Sequence, residues 1–189
     1  MNDDAELSAR GAAAYAAKDY VAAFSLYKQL ADAGHVSCQI FLAWMLHNGL
    51  GVEADNQEAL RWLTIAADSE STDAMYYCGR LHAALGDYKA SVPWFIKSAE
   101  RGYAPALYRL GLAYLRGLGV HVDRNVAAGH LEAAAERGHI FACRELALDR
   151  VRNGKNIYER LSGGILFMKA VYLGLRIARS NPYAAELKR

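Results

Sequence analysis

Four aspartates recur along this chain at nearly equal intervals, and an alanine follows each of them three or four residues later. The aspartates are 36, 32 and 36 residues apart, at Asp19, Asp55, Asp87 and Asp123. Two segments 68 residues apart match best, where NGLGVEADNQEAL at 48–60 aligns with RGLGVHVDRNVAA at 116–128. A period of this length is typical of stacked supersecondary units, so the sequence predicts a repeat array rather than one continuous globular core.

Each repeat contains residues that are typical of the starts and ends of a helix pair. An aspartate at a helix start accepts hydrogen bonds from unpaired backbone N–H groups, and its charge suits the positive end of the helix dipole. Asp55 and Glu58 also have the spacing of a capping box. Glycine tolerates the left-handed turn after a helix. In three repeats a glycine lies where the second helix should end, at Gly34, Gly102 and Gly138, and Glu70 occupies this position in the remaining repeat.

The unit at 104–138 resembles the Sel1-like repeat, a relative of the tetratricopeptide repeat. The matching residues are Ala106, Leu110, Gly111, Tyr114, Gly117, Gly119, Val120, Asp123, Ala127, Ala134, Ala135 and Gly138. Residues 36–70 match well, 5–34 and 72–102 lack the GLGV insertion, and a degenerate unit covers 140–153. The resemblance implies an all-α fold: an α-solenoid, a right-handed superhelix of antiparallel helix pairs, over 1–153.

The resemblance also implies which surface binds a partner. In such solenoids the first helix of each pair lines a concave groove, and its inward positions are set relative to the small residue of the LG pair. We predict a protein or peptide partner there, because Tyr, Trp and Arg are typical interface anchors. The predicted groove residues are Tyr15, Ile40, Trp44, His47, Tyr76, Arg80, Tyr108, Leu112 and Arg144.

The C-terminal segment, 154–189, differs from the rest in charge. Residues 150–189 carry a net charge of +7 within a chain of net charge +2. Its apolar run is expected to form a helix over 164–180, opened by Gly163-Gly164 and closed by Asn181-Pro182. Three roles stay open: a cap on the last repeat, an interfacial helix on anionic lipid, or a docking segment for a partner or another copy. The candidate contact residues are Lys169, Tyr172, Arg176 and Arg179.

Motifs for catalysis and cofactor binding are missing from the sequence. There is no P-loop, GxSxG or HExxH, and the three cysteines are widely spaced with no CxxC pair, so we expect no enzyme, cofactor or metal site. Nucleic acid fits poorly, because the basic residues are concentrated in the tail. The acidic N-terminus carries no readable secretory signal, and we expect a cytoplasmic protein.

The sequence therefore predicts a non-enzymatic adaptor or scaffold that binds a protein or peptide in its groove. The main alternative is a peripheral tether at the inner face of a membrane, held by the basic C-terminal helix. A second alternative is an accessory subunit of a secretion, signalling or polysaccharide-biosynthesis system. Self-association is compatible with each of them.

Overall fold

The computed structural model describes residues 2–153 and 157–180, which form ten α-helices and no strand. They are α1 (Asn2–Ala16), α2 (Tyr20–Asp32), α3 (Val36–Asn48), α4 (Asn56–Asp68), α5 (Thr72–Ala84), α6 (Tyr88–Glu100), α7 (Ala104–Arg116), α8 (Arg124–Glu136), α9 (Ile140–Asn153) and α10 (Ile157–Ser180). The all-α prediction is confirmed, and a helix pair occupies each repeat.

Two compact units make up the chain. The first, Met1–Arg101, contains the pairs α1–α2, α3–α4 and α5–α6, and each pair packs against the next. The second, Gly102–Arg189, contains α7–α8 and α9–α10. The division expected from the sequence, with the repeat region ending at residue 153, stays a prediction.

The recurring aspartates begin the second helix of each pair, as predicted. The Asp19 and Asp87 carboxylates accept from the N–H groups of Ala22 and Ala90, at 3.1 and 2.9 Å. Asp55 and Asp123 each accept from two backbone N–H groups. The first backbone N–H groups of a helix have no acceptor within the helix, and the aspartate side chains supply one. These caps therefore define where α2, α4, α6 and α8 begin.

The capping box at Asp55 is only half formed, so that prediction is wrong in its second half. The Glu58 N–H donates to Asp55 at 2.9 Å, but the Glu58 carboxylate accepts from Arg61 one turn along the helix. The Asp55 N–H instead donates to the Leu46 carbonyl at 3.0 Å. The charged partner on the same helix therefore competes successfully for the Glu58 side chain.

Left-handed residues end the second helices where the glycine pattern predicted them. Gly34, Gly102 and Gly138 have φ values of 92°, 78° and 83°. Glu70, which fills the fourth slot, adopts φ 60° although it is not glycine. The backbone turn is thus the same in all four repeats, and the glycines are favoured because they adopt it without Cβ strain.

Small residues let the paired helices approach closely inside each repeat. A Cβ built on Gly79 would lie 2.7 Å from the Phe95 ring, and one on Gly111 would lie 2.6 Å from the Leu131 side chain. The equivalent position in the second repeat is Ala43, which is buried. This close contact fixes the first helix of each pair against the second, and so sets which of its residues face outward.

Helix α10 begins at Ile157, so the prediction that Gly163-Gly164 opens it is wrong. Gly163 lies inside the helix, where a Cβ would stand 2.8 Å from the Ala147 carbonyl oxygen and 2.9 Å from the Val151 nitrogen. The glycine is therefore a contact residue that lets α10 pack along α9. The residues at 181–189, where the sequence suggested a stop, lie outside the described part of the chain.

Candidate partner-binding surfaces

A cleft of about 260 Å³ opens between α3 and α5 in the first unit. Its floor consists of buried apolar side chains, Ala43, Leu63 and Leu81. The remaining lining residues come from one face of α3 and from the second half of α5: Ser37, Ile40, Phe41, Trp44, His47, Tyr77, Arg80 and Ala84. The spacing of the α3 residues by three or four positions explains why they share this face.

Trp44 stands at the edge of the cleft and is supported from below by other aromatic rings. Its side chain is 41% exposed, and its ring stacks on Phe41 with centroids 5.4 Å apart. Tyr15 contacts both rings edge-on, at 5.4 Å from Phe41 and 6.1 Å from Trp44. Trp44 therefore presents a large apolar surface to solvent while its orientation is held, as is typical of an interface anchor.

Arg80 supplies the positive charge of the cleft. Its guanidinium lies over the Tyr77 ring at 5.5 Å and near the Tyr76 ring at 5.8 Å. Across residues 2–153 and 157–180, no carboxylate forms an ion pair with it. The aromatic rings hold the guanidinium in place by cation–π attraction, and its charge remains available to a ligand.

His47 lines the same cleft and is oriented by its neighbour on α4. Its Nδ1 lies 2.6 Å from the Asn56 side-chain oxygen. An amide oxygen can only accept, so Nδ1 carries the proton in this contact. In an imidazole that carries its one proton on Nδ1, Nε2 is an acceptor, which suits a backbone N–H of a bound segment.

A second aromatic and basic cluster lies in the second unit. Tyr108 stacks on His139 with centroids 4.4 Å apart, and Phe141, 56% exposed, lies 6.4 Å from Tyr108. The Arg144 guanidinium is 5.3 Å from the Phe141 centroid and also donates to Glu145 at 2.9 Å. Burial lowers the pKa of His139, and the nearby Arg109 lowers it further, so the ring is neutral near pH 7.

The predicted groove residues are thus distributed over three environments. Ile40, Trp44, His47 and Arg80 line the α3–α5 cleft, with Tyr15 and Tyr76 beside them as supporting rings. Tyr108 and Arg144 belong to the cluster of the second unit. Leu112 is 7% exposed and is a core side chain, so it belongs to neither surface.

Sequence reasoning missed Phe41 and Tyr77, which line the cleft next to the residues that it selected. Each directly follows a predicted position, Ile40 or Tyr76. Successive residues on a helix differ by about 100° in direction, so a groove formed by two helices admits side chains from two adjacent positions. The aromatic doublet at 76–77 was the signal that could have identified the second of them.

Helix α10 presents an apolar face on the side away from α9. Gly163 and Ala170 are buried toward α9, whereas the opposite side carries large exposed side chains: Ile157, Tyr158, Leu161, Ile165, Met168 and Tyr172. Arg160, Lys169 and Arg176 border this face and are also exposed. The Arg179 side chain lies outside the described residues. Within the described ranges, no helix is long and apolar enough to cross a bilayer.

The cysteine thiols are buried in the helix packing. Burial raises the pKa of Cys78 to about 12 and also raises the pKa of Cys38. A thiol attacks or binds metal as the thiolate, so these two groups are unreactive near neutral pH. In the part of the chain that the structure describes, no group of three His, Cys, Asp or Glu side chains could hold a metal ion.

Comparison with known proteins identifies four consecutive repeats of one family. The Sel1 repeat family matches residues 3–35, 36–71, 72–103 and 104–139. An uncharacterized protein of Neisseria meningitidis serogroup B, NMB1327, is 33% identical over 126 residues, which are 65% of this chain and 26% of that protein. The matched part of this chain thus spans about a quarter of that relative's length.

Two solved structures are similar to most of this chain. A Sel1 repeat protein from Oxalobacter formigenes has a TM-score of 0.66 and 28% identity, covering 79% of this chain and 64% of its own. The protective antigen c5321 of uropathogenic Escherichia coli, which displays the SLR fold, has a TM-score of 0.63 and 25% identity, covering 87% of this chain and 42% of its own. The predicted α-solenoid class is confirmed by these similarities.

Proposed function

Because this chain belongs to the Sel1 repeat family, we propose that it is an adaptor whose α3–α5 cleft binds a segment of a partner protein. Sel1 repeats are non-enzymatic scaffolds that generally mediate protein–protein interaction. A repeat unit buries one face by stacking on its neighbours and leaves the other for ligands. In the cleft an apolar concavity and an available charge occur together.

One observation supports this site above the others: Trp44 is held by aromatic neighbours yet remains exposed at the rim of an apolar cleft. An exposed tryptophan with a fixed ring loses little conformational freedom on binding, because its orientation is already set. Large contact area at low entropic cost is what makes such residues dominate binding energy. The cluster around Phe141 in the second unit is a further contact area for the same class of partner.

We expect the Trp44→Ala variant to lose partner capture. Loss of a central anchor costs about 2 kcal/mol or more, which corresponds to a roughly 30-fold weaker affinity. The measurement is quantitative mass spectrometry of proteins captured from a cell lysate by the intact chain and by the variant. Trp94→Ala is the matched control, since Trp94 is a half-buried tryptophan on α6, outside the cleft and covered by Lys97 at 4.6 Å. If Trp44→Ala and Trp94→Ala capture the partner equally well, the cleft is not the binding site.

A second function, contact with an anionic membrane, is favoured by the free face of α10. Eight large apolar side chains of α10 are exposed, six of them on the side away from α9, and the exposed Arg160 and Lys169 lie on either side of that face. An in-plane helix of this kind inserts its apolar face at the headgroup boundary, and each Lys or Arg near an anionic surface adds about 1 kcal/mol. The alternative of an accessory subunit stays a prediction, since it needs a known partner enzyme.

Vesicle flotation tests this second function. The intact chain should float with phosphatidylglycerol-containing vesicles and not with phosphatidylcholine alone, and an Ile165→Gln/Met168→Gln variant should stay at the bottom. Both residues are exposed, so the double change spares the α9 contact. Flotation that persists in the double variant would contradict a role for this face. A concentration-dependent dimer that the double variant abolishes, without flotation, would assign the face to a second copy instead.

A further inference from the structure

We propose that the α3–α5 cleft recognises a peptide segment in which a bulky apolar side chain lies within two residues of an acidic one. This inference rests on the proposed function and names the chemistry of its ligand. The apolar side chain enters the cleft beside Trp44, and the carboxylate pairs with Arg80 at the cleft wall.

The size of the cleft limits what enters it. Sites for drug-sized molecules have volumes of about 300–1,000 Å³, and this cleft of about 260 Å³ lies below that range. Its floor is entirely apolar, with Ala43, Leu63 and Leu81 buried. A single bulky apolar side chain, such as leucine or phenylalanine, therefore fits this volume, and a polar side chain would lose its hydration there without a partner.

The positive charge of the cleft selects the acidic residue of the bound segment. Arg80 is held over Tyr77 and near Tyr76, and in the described ranges no carboxylate neutralises it. The lining residues include no aspartate or glutamate. A carboxylate of the ligand would gain a charge-assisted, bidentate hydrogen bond with the guanidinium, and a lysine or arginine at the same place would be repelled.

The bound segment is best described as extended. Side chains two residues apart on an extended strand point to the same side and lie about 6.5–7 Å apart. One can therefore enter the cleft while the other reaches the guanidinium at its wall. With Nδ1 in contact with Asn56, the His47 Nε2 atom of the neutral tautomer can receive a backbone N–H of such a segment.

A synthetic peptide array tests this specificity with the full chain. The peptides carry a central leucine, and Glu, Gln or Lys is placed at each position up to two residues away. We expect the best Glu peptide to bind at least tenfold more tightly than its Gln counterpart, and the Lys peptide to bind most weakly. The Arg80→Glu variant should reverse this order in favour of Lys, because the charge of the cleft is reversed. Arg80 is exposed, so the substitution spares the core.

A second pair of variants separates the failure of this inference from the failure of the proposed function. Ala84 is an exposed lining residue, and Ala84→Trp would fill the cleft. Ala12→Trp is the matched control, because Ala12 is exposed on α1 and does not line the cleft. If only Ala84→Trp abolishes binding but Glu and Gln peptides bind equally, the acidic requirement is overturned and the cleft remains the site. If Ala84→Trp has no effect, the cleft itself is overturned. If no array peptide binds, the proposed apolar and acidic specificity is overturned. The comparison of partner capture by the intact chain and by Trp44→Ala then still tests whether the cleft is the binding site.

Discussion

Replacing Gly51 with alanine should lower the free energy of unfolding by about 3–5 kcal/mol, because a left-handed backbone and a steric clash act together. Gly51 has φ +79°, and an ideal Cβ there would lie 2.0 Å from the Tyr20 carbonyl oxygen and 2.8 Å from the Val21 nitrogen. These are backbone atoms, so no side-chain rotation relieves the contact. The loop between α3 and α4, which contains Gly51, would have to move away from the start of α2.

Gly86→Ala is the control for the backbone contribution alone. Gly86 has φ +83°, but a Cβ there would meet nothing within 4 Å, so we expect a cost of about 1–2 kcal/mol. Thermal unfolding followed by far-ultraviolet circular dichroism compares the two, and Gly51→Ala should lower Tm by roughly 10 °C. Equal Tm values for the two variants would show that the α3–α4 loop does not approach α2 closely at Gly51.

The repeat frame could be predicted from the sequence because it depends on local interactions. An aspartate reaches backbone N–H groups two or three residues away, and a glycine at the helix end adopts its own positive φ. Neither requires knowledge of the tertiary contacts. The half-formed box at Asp55 shows the limit of such reasoning, since Arg61 competes for Glu58 over an equally short distance. The spacing of Asp55 and Glu58 does not show whether the Glu58 carboxylate accepts from the Asp55 N–H or from Arg61.

The features that sequence reasoning missed depend on contacts between helices. Gly163 looks like a helix opener because glycine weakens helices, but its role is to admit the α9 backbone. The cleft residue Tyr77 was missed, and Leu112 was included although it is buried, because a repeat position specifies a direction only to within one helical step. The distance between neighbouring helices decides which of two adjacent side chains reaches the surface, and no local pattern encodes that distance.

The pair of glycines in α10 provides the sharpest test of how this helix is held. We expect Gly163→Leu to lower the free energy of unfolding by about 3 kcal/mol, because the side chain would overlap backbone atoms of Ala147 and Val151. At Gly164 a Cβ meets nothing within 4 Å, and leucine there should stabilise the protein by up to about 1 kcal/mol, since glycine is a poor helix former. Urea unfolding measures both changes.

Hydrogen exchange in α10 shows whether the loss at Gly163 is local. With α10 displaced from α9, its amides should exchange rapidly in Gly163→Leu while those of α3 and α5 keep their protection. The displaced helix would also expose its α9-facing side, so its apolar residues would no longer form a single outward face bordered by Arg160 and Lys169. If both leucine variants are equally stable and equally protected, α10 does not pack on α9 through Gly163. The outward face, and with it the membrane function, would then lose its structural basis, whereas the α3–α5 cleft lies in the other unit and would be unaffected.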